Sequence, residues 1–166
     1  MPNSLLLEIL DVQDYMEIDT EKVRYLCEII LADAGFHSGK IEVVFVDAET
    51  SQQHNRDFLQ HDYPTDSIAF PMEERREVGY IEGEILACTE IAKERAGEFC
   101  WSPEEELMLY TAHGLLHLVG YDDQTVESRE IMRQKEKEYL ALIGITVPDF
   151  DYGPDWEDLT DDASQN

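Results

Sequence analysis

His113-Gly114-Leu115-Leu116-His117-Leu118-Val119-Gly120-Tyr121-Asp122-Asp123 spells a helix that carries two imidazoles, stops at a glycine and turns back with two carboxylates. A helix has about 3.6 residues per turn, so His113 and His117 lie one above the other on one face and both reach a single ion. Gly120 can adopt the left-handed conformation that ends a helix and reverses the chain. That return brings Asp122 or Asp123 toward the open side of the ion. Two histidines and a carboxylate form a sound ligand set for zinc, with one position left open as in catalytic sites.

Asp123 is the expected third ligand, because neighbouring side chains after a turn point apart. It also sits at the spacing of the last ligand in the extended zinc-protease pattern H-E-x-x-H-x-x-G-x-x-H, with Asp in place of His. Asp122 then has two open readings, an acceptor behind an imidazole N–H or a cap of the turn. Position 114, where a zinc protease carries its general-base glutamate, is glycine. The motif therefore disfavours a metallopeptidase. A hydroxide generated on the metal can still attack an electrophile, and phosphodiester cleavage suits such a site.

Length and composition bound the class. The 166 residues, 43% apolar, are expected to form one domain over 1–148, followed by an acidic, disordered tail over 149–166 that has no Lys or Arg. Met1–Leu10 has neither a basic n-region nor a long apolar run, so no signal peptide or membrane span is expected. Cys27, Cys88 and Cys100 form no C-x-x-C pair and read as reduced thiols of a cytoplasmic protein. The formal charge of −26 and pI near 4.2 oppose polyanion binding through a broad basic surface. Screening over about 8 Å at physiological salt still permits a local basic patch.

Periodicity supplies the elements. Asp19–Ala34 reads as an amphipathic helix with Val23, Leu26, Ile30 and Ala34 on one face and Gly35 as its stop. Ile41–Val46 reads as a buried strand. Asp47 caps a polar helix over Glu49–Gln60. After the turn at Pro64 comes a short edge strand closed by Pro71. Val78–Ala87 holds a strand or pair entered around Gly79 and Gly83, and Thr89–Ala96 is helical. Ser102-Pro103-Glu104-Glu105 is a capping box that opens the metal helix, which runs to about Val119 with Leu107, Tyr110 and Leu118 inward. A last helix covers about Val126–Ile143 and ends at Gly144. On it, Arg129, Arg133 and Lys137 recur every four residues, either as a solvated face paired with Glu130 and Glu136 or as a strip for phosphates.

These motifs resemble the YbeY endoribonucleases, also called rRNA maturation factors. Their hallmark H-G-x-L-H-L-x-G-Y-D-H is matched by HGLLHLVGYDD, and P-T-D-x-L-S-F-P by Pro64-Thr65-Asp66-Ser67-Ile68-Ala69-Phe70-Pro71. Gly83-Glu84-Ile85 is similar to the family's G-D-I, and Asn55 stands in its L-N-x-x-Y-R segment. The resemblance implies an α+β fold, a small mixed β-sheet packed with about five helices including a metalloprotease-like metal helix. It implies one divalent metal, usually zinc, whose bound water is the nucleophile. It further implies single-strand-specific endoribonuclease activity in rRNA maturation and ribosome quality control, with rRNA of the small ribosomal subunit as partner and neither DNA nor membrane. His113 and His117 carry over as ligands, and Asp123 occupies the family's third-histidine position. The family's arginine position holds Leu59, which cannot make a bidentate phosphate contact. Arg56, one turn earlier, is the candidate replacement. The rival reading is a ribosome-assembly binding factor whose metal is structural and whose cleavage is weak or lost.

Overall fold

Four strands form one sheet in the computed structural model, which describes residues 4–47, 49, 67–99 and 102–147. They are β1 (Ser4–Asp11), β2 (Ser38–Val46), β3 (Ser67–Arg75) and β4 (Tyr80–Cys88), in the spatial order β1-β2-β4-β3. β1, β2 and β4 run parallel, whereas β3 pairs antiparallel with β4 at one edge. The helices are α1 (Thr20–Asp33), α2 (Thr89–Phe99), α3 (Pro103–Leu118) and α4 (Val126–Leu142), with a 3-10 turn at Arg76–Val78 between β3 and β4. The mixed sheet and α+β class are those expected. Among the described residues there are four helices rather than about five. The polar helix expected over Glu49–Gln60 lies outside them except for residue 49.

The two-residue period of a strand divides the sheet into unlike faces. Ile41, Val43 and Phe45 of β2 and Ile81, Ile85 and Ala87 of β4 are at most 2% exposed and belong to the main core. Each large side chain so buried contributes about 1.5–3 kcal/mol. Alternating with them in sequence stand Lys40, Glu42, Glu82 and Glu84, on the opposite face, where Lys40 pairs with Glu42 at 2.9 Å.

Helix α3 begins as its cap signals require: Glu105 N donates to Ser102 Oγ (3.1 Å) and Ser102 N to Glu105 Oε1 (3.0 Å). It then passes through the centre of the molecule, touching α1, α2, α4, β3 and β4. A helix surrounded on all sides is apolar all round. From Glu106 to Val119 every residue is buried except His113 and His117. Packing thus leaves the two imidazoles as the only partly open positions of this stretch. Two glycines let the helix come close to the sheet. A Cβ on Gly114 would lie 2.8 Å from Ile85 Cγ2, and one on Gly83 would lie 2.9 Å from Leu118 Cδ1.

Three expectations need correction. Gly83 lies inside β4 and marks where α3 lands, whereas Gly79, at φ 69°, is the strand's entry. β3 continues beyond Pro71 to Arg75, with its register shifting between Pro71 and Glu73, and an edge strand tolerates proline there. β1 has no counterpart in the expected elements. Its run Ser4-Leu5-Leu6-Leu7-Glu8-Ile9-Leu10 is rich in helix-favouring leucine, and pairing with β2 overrides that preference.

At position 114 two effects oppose each other. Gly114→Ala gains up to about 1 kcal/mol of helix propensity. Overpacking against Ile85 costs about 1–3 kcal/mol. The close approach predicts a net loss, read as a lower urea midpoint, that Ile85→Val relieves in the double variant. A midpoint that rises in Gly114→Ala would contradict it.

Candidate metal centre

The end of α3 is a Schellman turn. Gly120, at φ 116°, donates its N–H to His117 O (3.1 Å), and Tyr121 N donates to Leu116 O (3.0 Å). The chain then doubles back and brings Asp123 over the histidine face. His113 Nε2 and His117 Nε2 are 3.1 Å apart, and Asp123 Oδ2 lies 3.6 Å from each. The imidazole planes are nearly perpendicular, at 85°. One donor atom from each residue falls within 4.8 Å of the others, so the three can hold a metal ion together.

The triangle has the dimensions an ion demands. Ligands about 2.0–2.1 Å from zinc at tetrahedral angles sit about 3.3 Å from one another. Sides of 3.1, 3.6 and 3.6 Å bracket that value, so closure needs shifts of only a few tenths of an ångström. The Asp123 carboxyl is held below the usual carboxylate range, first by its hydrogen bond with His117 and further by electrostatic attraction to the neighbouring His113 ring, against the opposing effect of burial. Asp122 takes the turn role: its Oδ1 accepts from Gln124 N at 3.2 Å. Its carboxyl is also held low, chiefly by a hydrogen bond from Ser128. Neither contact orients an imidazole.

That task falls to Glu136, a residue sequence reasoning assigned to a solvated charge stripe. Its carboxylate is 1% exposed, and Oε2 lies 2.6 Å from His113 Nδ1. A carboxylate accepts, so Nδ1 donates, and the lone pair of Nε2 is left to face His117 and Asp123. A buried carboxylate without such a partner would be costly. The signal was present in the sequence: Met132, Glu136, Tyr139 and Leu140 follow a helical core spacing with an acid at one place, and all four are buried. Tyr139 fixes the approach of α4 by donating its hydroxyl to Asp33 Oδ2 of α1 at 3.0 Å.

Beside His117 opens a cavity of about 290 Å³ whose walls include Met72, Glu73, Glu74, Ile81 and Glu82. This approach is acidic. Arg129 and Arg133 are half-buried on α4, about two turns and one turn before Glu136, and both are already engaged with neighbours. Arg56, Leu59, Asn55 and the Pro64-Thr65-Asp66 turn lie outside the described residues.

Two outcomes test the centre. Glu136→Leu should weaken zinc binding about 10- to 100-fold, measured by chelator competition, and unchanged affinity would remove Glu136 from the site. In metal-free protein, the lowered Asp123 pKa means its stabilisation is present above the ordinary carboxylate range and is lost as pH falls through the folded pKa. Asp123→Asn should therefore show a smaller fall in melting temperature than wild type between about pH 5 and pH 3. Equal falls would contradict the Asp123–imidazole contacts.

The profile of the family described as Endoribonuclease YbeY matches residues 8–144. An Endoribonuclease YbeY of Rhodopirellula baltica is 47% identical over 137 residues, covering 80% of this chain and 70% of the relative. One from Chlorobium luteolum is 39% identical over 116 residues, covering 70% of this chain and 82% of the relative. The solution structure of TM1509 from Thermotoga maritima superposes with a TM-score of 0.58 at 25% identity, over 97% of this chain and 96% of that one.

Proposed function

Since the chain belongs to the Endoribonuclease YbeY family, we propose that it is a zinc-dependent, single-strand-specific endoribonuclease of rRNA maturation and ribosome quality control. The observation that carries the metal dependence is the triangle of His113, His117 and Asp123 donors. In this reading the protein acts in the cytoplasm on rRNA of the small ribosomal subunit. Among the described residues no helix is long and apolar enough to cross a membrane.

The chain's own groups divide the work. His113 and His117 supply neutral nitrogen donors, and Asp123 supplies an anionic oxygen. Glu136 fixes the tautomer of His113 and prevents its ring from turning. When bound, a divalent cation supplies Lewis acidity and lowers the pKa of a water. Gly114 has no room for a carboxylate in the place a zinc protease uses for its base, because Ile85 fills the space. That disfavours peptide hydrolysis by the protease route and leaves room for a phosphodiester, whose non-bridging oxygens carry a negative charge that a cation would attract.

Glu73, Glu74 and Glu82 on the cavity walls repel a phosphate chain, and a bound cation would attract it. Strand selection in this reading would follow from access to the cavity beside His117. Arg129 and Arg133, on the helix that also brings Glu136, are the proposed phosphate contacts. Replacing both with Ala should flatten the slope of log affinity against log salt by about 0.7 for each phosphate no longer neutralised. An unchanged slope would eliminate them.

The decisive assay uses a single-stranded rRNA fragment with zinc, with chelator, and with His117→Ala. Cleavage should require zinc and fall at least about 100-fold in the variant. Tight binding without cleavage in the zinc-loaded wild type would contradict the enzyme and favour an assembly factor. A variant that cleaves at the wild-type rate would place the activity elsewhere.

A further inference from the structure

We propose that Arg76 is a positioning residue for the metal centre, pinning the end of α3 so that Asp123 returns to the two imidazoles. The inference rests on the proposed metal site and adds a residue from a different part of the chain. Arg76 opens the 3-10 turn between β3 and β4, yet its Nη2 lies 2.6 Å from Val119 O, 43 residues away. Val119 is the C-cap of α3. Its carbonyl belongs to the last turn of the helix, where acceptors lack partners within the helix. The guanidinium supplies that partner and places positive charge where the helix dipole favours it.

The arginine is itself held. Glu74 Oε1 accepts from the same Nη2 at 2.8 Å, and the guanidinium carbon stands 5.0 Å from the centroid of the Phe36 ring. Glycine at position 120 serves this contact as well as the turn. A Cβ there would approach Nη2 to 3.0 Å, so a side chain would press on the clamp. Val119 and Gly120 lie between His117 and Asp123 in the chain. Fixing the Val119 carbonyl therefore fixes the segment that determines where Asp123 arrives. Without the clamp, the turn keeps the packing of Val119 and Tyr121 on the core but loses its tie to the β3–β4 connection. The third donor then samples a wider volume, which weakens the ion while the helix and its imidazoles stay in place.

Arg75 is the internal control. It is the last residue of β3, next to Arg76, and lies over the Tyr80 ring at 4.3 Å, with Glu73 beside it at 3.6 Å, and neither contact involves α3. The test measures zinc affinity by chelator competition, and amide hydrogen exchange of residues 119–123 in zinc-free protein, for wild type, Arg76→Met, Arg76→Lys and Arg75→Met. Arg76→Met should bind zinc about tenfold more weakly and exchange faster at 119–123. Arg76→Lys should recover much of the affinity, and Arg75→Met should behave as wild type. Unchanged exchange at 119–123 in Arg76→Met would overturn the clamp, as would equal losses in Arg75→Met and Arg76→Met. A wild type that binds zinc no better than His117→Ala would refute the metal site, and hydrogen exchange would still decide whether Arg76 holds the turn.

Discussion

The close approach of α3 to β4 is the constraint on which the site depends. Gly83 and Gly114 remove the Cβ atoms that would otherwise hold helix and strand apart, and Ile85 and Leu118 fill the space. Once the helix lies against the sheet, its flanks are covered by α1, α2 and α4, and burial becomes nearly complete. Two polar rings at 113 and 117 are left at the edge of the covered region. Their orientation follows from packing around them rather than from their own preference. The same constraint bears on the chemistry, because a side chain on the residue after His113 would press on Ile85.

Electrostatics resolves the conflict between an acidic protein and an anionic substrate. With a formal charge of −26, the chain offers polyanions little general attraction, and Glu73, Glu74 and Glu82 line the approach to His117. Asp123 and Glu136 add two carboxylates at the triad. Such a site holds a divalent cation strongly, and a carboxylate ligand acidifies water less than a third imidazole would. In the proposed function the ion is therefore the main positive charge that a phosphate meets. Affinity should be modest, with selectivity for a chain that can reach into the cavity beside His117.

Much of this was legible in local patterns. The capping box at Ser102, the i,i+4 histidines and the glycine stop located α3 and the triad, because helix ends and helix faces are encoded over a few residues. β1 was not legible, since its leucines favour a helix and only pairing with β2 makes it a strand. Glu136 was misread for a related reason: from the sequence alone, an acid among Arg133, Lys135 and Lys137 looks like a surface pair. Its burial and its 2.6 Å contact with His113 arise when two helices meet. Arg76 carries no motif at all, and its role follows from a contact across 43 residues. Contacts between elements escape a reading that works along the chain.

The most direct measurement is anomalous scattering at the zinc edge from crystals grown with zinc. One peak is predicted, about 2.0–2.1 Å from His113 Nε2 and His117 Nε2 and about 2.0–2.2 Å from an Asp123 oxygen, with Glu136 still on His113 Nδ1. Zinc bound elsewhere, or an empty position with the three side chains turned apart at saturating zinc, would contradict a cation held by this triad.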